Sequence, residues 1–566
     1  MTEPVDPVDP VEPGPRLVTE PVDPGPSLAG GVTEPADPVD HPDCDPDVSW
    51  TSGNVAEAFP GVCTPLGFSF MHAPVELALR SAFRDIGVFT DAQVRVPARV
   101  EQQFWSVFAG RAAANMDQFR ALADLTPGTS ATAVEQQLFG YVRPGTVDRN
   151  SYRRYPAIAV KAPGVVARLG ARHDARFAEL RTWRTATLRG VPELDRAGCL
   201  RVIGDAQRQF QEIMRLHFLA TFVGNGVVDK LTELAARHGG PGLAARLLSG
   251  VGSDENEVAA DLWELAHGRL EQAEFLDRHG YHGPSEGQLD SVSWRENPEL
   301  LAARLADYRA MGDSSPRAPR PRSAAQRGER VGASGELAAA LPALRRPSAR
   351  LLVRLAGRYL ALREQGKAGY LITFDVARAA ARRLGGQLVG AGVLSEVGDV
   401  FFLTDAELRS ADPGPAAALV PARRAVYLER QGQRLPDAWC GVPEPIAVAA
   451  PGAGGPAAPA GTTLTGVGAC GGVVEGRARV VADPEKTELD EGDLLVCEAT
   501  DPSWISLFVV ASGVVTDLGG MLSHGAIVAR ELGIPCVVGT RTGSRQIRDG
   551  QRIRVDGARG VVELLD

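Results

Sequence analysis

The residues best suited to chemistry lie near the C-terminus, in Thr516-Asp-Leu-Gly-Gly-Met-Leu-Ser-His-Gly-Ala-Ile-Val-Ala-Arg-Glu-Leu-Gly-Ile-Pro-Cys-Val-Val-Gly539. A short apolar strand, Gly513 to Thr516, runs into a turn built on Gly519 and Gly520. Ser523 has the position of a helix N-cap, and Gly533 with Pro535 ends the helix beyond it. His524 therefore falls in the first turn. Backbone N–H groups and the positive end of the helix dipole stabilise a dianion there. A histidine in that setting is placed to carry a phosphoryl group, with Gly519, Gly520 and Ser523 around the phosphate. The alternative is a histidine that only caps the helix.

A second group is Arg363-Glu-Gln-Gly-Lys367, on a predicted helix. Arg363 and Lys367 are four residues apart and can face one side. Two cations on one spot can hold a phosphoryl group in transit, because a loose transition state is stabilised chiefly by charge. Glu364 lies about 100° further round the helix. It can orient a cation or take the proton of an acceptor hydroxyl. An exposed charged helix face is the other reading of the same spacing. The histidines at 72, 173, 217, 238, 267 and 279 show no arrangement that suggests ligands and read as ordinary helix or surface residues.

These groups need elements to position them. Apolar residues at three- and four-residue spacing predict helices within Val75 to Phe83, Phe177 to Leu188, Val202 to Phe222, Val258 to His279 and Ala349 to Arg383. The last hundred residues differ. Short Val-rich runs at Arg477 to Val481, Leu494 to Cys497, Gly513 to Thr516, Pro535 to Val538 and Arg552 to Val555 alternate with turns and one or two helices, which predicts a compact α/β unit. The Gly-Gly pairs at 239 and 385 read as helix caps.

The 566 residues allow about three or four domains. There is no run of 18 apolar residues and no signal peptide at the start, so neither a membrane span nor secretion is expected. Seven scattered cysteines (44, 63, 199, 440, 470, 497, 536) suit reduced thiols in a cytoplasmic protein and suggest no metal site. The net charge is −10, but residues 1–47 hold twelve acidic residues and one Arg, so the remainder sits at +1. No basic face for nucleic acid is evident. The acidic segment repeats Thr-Glu-Pro-Val-Asp-Pro at Thr2 and Thr19, with a variant at Thr33. Its proline and like charges predict a disordered spacer, or alternatively a docking arm for another subunit.

The C-terminal segment resembles the phosphohistidine swivelling domain of phosphoenolpyruvate synthase, pyruvate phosphate dikinase and rifampicin phosphotransferase. The resemblance extends beyond the histidine stretch to Gly471-Gly-Val-Val-Glu-Gly-Arg-Ala-Arg-Val480, Gly492-Asp-Leu-Leu-Val496, Thr500-Asp-Pro-Ser-Trp504, Asp549-Gly550 and Val555-Asp-Gly557. It implies that His524 is the phosphorylated residue. Upstream, Asn54-Val-Ala-Glu-Ala-Phe-Pro-Gly-Val-Cys-Thr-Pro-Leu66, Phe275 to Glu286 and Asp399 to Leu408 resemble blocks of rifampicin phosphotransferases. In that family the residues matching Arg363, Glu364 and Lys367 line the transfer site. One block departs from the family's Gly-His-Arg-Gly and Glu-x-Asp-Leu. Here Tyr281 and His282 stand for the His and Arg, and Gln288 for the Asp. Imidazole does not reproduce a bidentate guanidinium, so His282 and Glu286 are candidate substrate-binding residues if the block serves the site, and packing residues if it does not.

The expected architecture is therefore multidomain: a disordered acidic tail (1–48), a mainly helical substrate-binding domain (49–446) with a flexible loop at about 312–335, an Ala/Gly/Pro hinge (447–463) and a small α/β swivelling domain (464–566). A tether suits a carrier that must visit two sites. The nucleotide-binding ATP-grasp domain that the resemblance leads one to expect is not found, nor is a P-loop. The expected function is a phosphotransferase subunit. A separate ATP-grasp protein would load it from ATP with Mg²⁺, and the acceptor would be a small-molecule hydroxyl of an antibiotic or natural-product intermediate. A non-catalytic binding or regulatory relative is the alternative, and loading by phosphoenolpyruvate a third.

Overall fold

The computed structural model describes residues 37–565, save for single positions and short stretches, among them 448–457, 483–486, 501–503 and 521–522. Most of the hinge lies outside the described residues, as do residues 1–36 of the tail.

The central region is helical, as its periodicity predicts. Its frame is α1 (Pro65–Asp85), α2 (Tyr155–Gly190), α3 (Arg196–His238), α4 (Asp254–Ala266), α5 (Pro319–Ala340) and α6 (Arg346–Gly390). Local chemistry sets their starts. Thr64 accepts from Gly67 N ahead of Pro65, and Asp195 accepts from Gly198 N, each satisfying a first-turn donor. α3 and α6, 43 and 45 residues long, pack along each other. Glycine makes the close approach possible. A Cβ on Gly366 would lie 2.7 Å from Nδ1 of His217, and one on Gly369 would lie 2.7 Å from Ile213. A small antiparallel sheet of β1 (Ser49–Thr51), β2 (Trp105–Phe108), β3 (Arg111–Asn115) and β4 (Ala438–Cys440), in the order β2-β3-β1-β4, closes one end of the bundle's apolar core.

The C-terminal domain is the expected α/β unit. Its eight strands are β5 (Thr463–Thr465), β6 (Val467–Cys470), β7 (Val473–Val480), β8 (Leu494–Cys497), β9 (Gly513–Thr516), β10 (Cys536–Val538), β11 (Arg552–Asp556) and β12 (Val561–Leu564), in the order β5-β12-β11-β7-β8-β9-β10-β6. The centre, β7 to β10, is parallel and the flanks are antiparallel. β8 to β10 are wholly buried, which explains their unbroken apolar sequences. α7 (His524–Leu532) crosses from β9 to β10 and ends at Gly533, whose φ of 66° is left-handed.

Four expectations need correction. The 312–335 loop is largely α5. Its prolines sit in the first turn, where they have no hydrogen bond to lose, and Ala333 and Leu337 bury against Val228 and Val353. The described end of the tail is packed on the central domain: Val39 is buried, its carbonyl accepts from Gly110 N at 2.8 Å, and Arg430 pairs with Asp37 and Asp40. Residues 458–463 belong to the C-terminal domain, since Ala458 N donates to Gln546 O and Gly461 N to Leu564 O. Gly385 lies inside α6, where a Cβ would strike the Val397 carbonyl at 2.3 Å.

The two domains are in contact. One apolar cluster runs from Val258, Leu262 and Trp263 of α4 into Leu507, Phe508, Ala526 and Ala529 of the C-terminal domain. Beside it, the buried Glu531 carboxylate accepts from Val251 N at 2.8 Å, from Gly252 N at 3.4 Å and from Asn256 Nδ2 at 2.7 Å. No helix among the described residues is long and apolar enough to cross a membrane.

Candidate active site

His524 is the first residue of α7 and only 6% exposed. The turn before it is fixed by Asp517, which accepts from Thr540 Oγ1 at 3.0 Å and from Ser544 N at 3.0 Å. Gly519 has φ 111°, a conformation that suits glycine. Ser523 occupies the N-cap position but does not cap. Its hydroxyl donates back to Gly520 O at 2.8 Å, so the first-turn N–H groups of α7 gain no side-chain acceptor from it. Thr500 reaches the ring from the loop after β8, with Oγ1 3.1 Å from His524 Nδ1. Gly525 permits this, since a Cβ there would lie 3.0 Å from that hydroxyl.

His524 faces a cavity of about 270 Å³ enclosed mainly by the central domain. Arg363, Glu364 and Lys367 of α6 line the same cavity, about 160 residues away in sequence. Burial, followed by the charges of Lys367 and His282, holds the His524 imidazole well below its ordinary pKa. The ring is thus neutral at physiological pH, as a nucleophile toward phosphorus must be.

His217 of α3 also lines the cavity, which corrects its reading as an ordinary helix residue. Its Nδ1 is 3.2 Å from the Arg363 carbonyl, which can only accept, so Nδ1 carries the proton and Nε2 a lone pair. Burial first, then Arg363 and other cations, push its pKa down to about 3. Thr221 and Asn225 succeed it at four-residue intervals on the cavity side of α3. That repeat of polar residues on an otherwise apolar face is the signal the sequence carries. The remaining walls are apolar and rich in rings, among them Phe59, Phe104, Trp105 and Phe218.

His282 and Glu286 do not line the cavity. His282 is buried between two carboxylates, with Nδ1 2.8 Å from Glu286 and Nε2 3.2 Å from Asp254. Burial alone would lower its pKa, but Glu286 and Asp254 outweigh that and raise it to about 10. His282 is therefore a fixed imidazolium, near enough to depress His524. Asp254 and Tyr281, whose hydroxyl donates to Asp254 at 3.1 Å, complete a cluster that no sequence spacing assembles. Gln288 donates to the Pro60 carbonyl and ties this block to the start of the domain.

Residues 489–560 match the mobile domain of PEP-utilising enzymes, and residues 231–364 match the fourth domain of rifampicin phosphotransferase. A rifampicin phosphotransferase of Streptomyces is 36% identical over 312 residues, 51% of this chain and 34% of that protein. The Bacillus subtilis rifampicin phosphotransferase is 29% identical over 299 residues, 52% of this chain and 34% of that one. An uncharacterised protein of Mycobacterium tuberculosis is 33% identical over 340 residues, 60% and 36% respectively. An NMR structure of Enzyme I matches at 14% identity and a TM-score of 0.16, over 47% of this chain and 75% of that one, a likeness too slight to bear on the fold. Most of the C-terminal domain, residues 489–560, is thus similar to the mobile domain of PEP-utilising enzymes. About half of the chain is similar to rifampicin phosphotransferases, and the matched residues span about a third of those proteins' length.

Proposed function

We propose that the chain is a phosphotransferase component that carries a phosphoryl group on Nε2 of His524 and delivers it to a hydroxyl of a small molecule in the cavity. The observation that supports this most strongly is the meeting of a neutral, buried His524 with Arg363, Glu364 and Lys367 on one cavity. In the transfer step the P–N bond to His524 breaks and its electron pair returns to Nε2. A P–O bond forms to the acceptor oxygen, and the hydroxyl proton passes to the Glu364 carboxylate. Arg363 and Lys367 hold the equatorial oxygens as charge spreads. The first-turn N–H groups of α7, shaped by Gly519 and Gly520, steady the phosphoryl group before transfer.

Loading requires His524 to leave the cavity. The donor in this reading is a separate ATP-grasp protein using ATP with Mg²⁺, and the stretch of 447–457 is the tether. The relatives named for rifampicin support an antibiotic or natural-product intermediate as acceptor.

Phosphoramidate, a P–N donor that needs no partner, tests the carrier directly. Intact-mass measurement is expected to show one acid-labile phosphate on the wild-type chain and none on His524→Ala. Equal labelling of the variant would remove His524 from the mechanism. Chasing the labelled protein with a candidate alcohol and monitoring loss of the phosphate tests transfer.

A further inference from the structure

Two of the seven cysteines stand opposite each other on adjacent strands. Cys470 of β6 and Cys536 of β10 are direct register partners in an antiparallel pair. Residues so placed point to one face with Cα atoms roughly 4.5–5.5 Å apart, inside the roughly 4.4–6.8 Å that a disulfide spans. The register shifts immediately after the pair, between Cys536 and Val537. Such an irregularity lets a side chain be re-aimed. Both cysteines are free and buried, in the apolar cluster that includes Ala526 and Ala529 of α7.

A cation sits with them. Arg530 of α7 is 1% exposed. Its Nη1 makes only a long bond, 3.5 Å, to Ala469 O, and its Nε has no partner among the described residues. The groups of opposite charge that reach it are Cys470, Glu531 and Cys536, and Glu531 is taken up by residues 251–256. A guanidinium so placed favours a thiolate. Burial opposes it, raising the Cys470 thiol to about 11 and the Cys536 thiol as well. The central domain adds to that cover. Arg322 of α5 donates to Val509 O at 3.4 Å, and a Cβ on Gly533 would strike the Gln326 amide. The charges of Glu329 and Arg322 bear on Cys470, which lies on the edge strand, while Cys536 lies one strand in.

We propose that Cys470 and Cys536 are a reversible redox pair of the carrier domain, closed to a cross-strand disulfide by a low-molecular-weight disulfide when the domain leaves α5. Cys470 loses its proton, and its sulfur attacks one sulfur of the oxidant. The oxidant's S–S bond breaks, and one thiolate leaves and takes up a proton. Cys536 then loses its proton, and its sulfur attacks Cys470 Sγ and expels the second thiolate, which is protonated in turn. The two cysteines are oxidised by two electrons, and one oxidant disulfide becomes two thiols. The product ties the edge strand β6 to β10 while the domain is away from its partner surface. The gating rests on the reading of His524 as a carrier that leaves its cavity; the pairing of the cysteines does not.

Glutathione disulfide, added to the unphosphorylated full chain, tests this by non-reducing peptide mapping over time. A peptide joining Cys470 to Cys536 is expected, and dithiothreitol should remove it. Cys536→Ser should stop at a glutathione adduct on Cys470. Cys440, which is exposed, takes up glutathione at its own rate and normalises the oxidant between variants. Glu531→Gln should speed closure at least about tenfold relative to Cys440, the effect of losing one bond to a charged group at the seam. Gln326→Ala, a milder change on α5, should speed it less. No Cys470–Cys536 bond in the wild-type chain or either variant overturns the proposal. So does a glutathione adduct that stays on Cys470 in the wild type, or closure no faster in both seam variants. Phosphoramidate labelling of His524 is scored separately. Labelling without closure sinks the redox pair alone, and closure without labelling sinks the carrier alone.

Discussion

Thr500 places its hydroxyl oxygen 3.1 Å from Nδ1 of His524, across 24 residues of sequence. If that oxygen accepts the Nδ1 proton, the lone pair is on Nε2, the nitrogen assigned here to the phosphoryl group. Thr500→Val keeps the volume and removes the acceptor. Its rate of phosphoramidate labelling should fall by about tenfold to a hundredfold, the usual effect of losing a group that orients a functional histidine. Thr500→Ser should recover most of it. Labelling of the Val variant at the wild-type rate would show that the contact has no part in setting the tautomer.

Arg363 and Lys367 act at transfer in this mechanism, not at loading. Arg363→Met and Lys367→Met should each slow the acceptor-dependent loss of phosphate by about 10²- to 10³-fold, as removal of a charge stabiliser does elsewhere. Phosphohistidine formation should stay within about twofold of wild type. The double variant should lose less than the product of the two, because the residues share one charge. Single-turnover chase of the labelled protein measures both steps.

Glu531 links the carrier domain to residues 251–256 through three hydrogen bonds from backbone and amide donors. Glu531→Gln removes the charge and turns an amide N–H toward donors that need an acceptor. Bonds to a charged group contribute about 1.5–3 kcal/mol each, so undocking should become at least tenfold easier. Hydrogen exchange at the Val251 and Gly252 amides should accelerate accordingly. Labelling of His524 should be no slower, while transfer slows. Unchanged exchange at those amides would rule out Glu531 as the contact that holds the domains together.

The carrier domain is legible in the sequence because its signals are local. β9 occupies the predicted residues, and Gly533 ends α7 as its position implies. Much of the cavity is not legible because tertiary packing makes it. His217 is a single histidine on a long helix, and nothing nearby in sequence says that Gly366 on α6 leaves room for it. Composition obscures α5: Pro319 and Pro321 read as loop, yet both fall in a first turn that tolerates them. His282 stands out in sequence as a departure from the related family's block. Its role depends on Asp254, 28 residues upstream, which no spacing rule connects to it.

His282 also makes a pH prediction whose sign is fixed by the direction of its shift. In the folded chain its pKa is raised to about 10 from an ordinary 6.5, so the native state holds the proton more tightly than the unfolded chain. The stabilisation is complete below about pH 6.5 and is lost as pH rises through about 10. The groups facing the ring are Asp254 and Glu286, with Tyr281 and His279 beside them. His282→Arg keeps a cation that does not titrate in this range, so the loss of stability between pH 7 and 10 should flatten relative to wild type. His282→Gln leaves two buried carboxylates facing no charge, and should lower stability at pH 7 by about 3–5 kcal/mol. Denaturant midpoints taken at intervals from pH 6 to 10 compare the three proteins. A wild-type profile as flat as that of His282→Arg would mean that the imidazolium is not held by those carboxylates. The Gln variant also removes one of the two charges that depress His524, so the His524 pKa should move upward there, which imidazole proton shifts in NMR spectra would show.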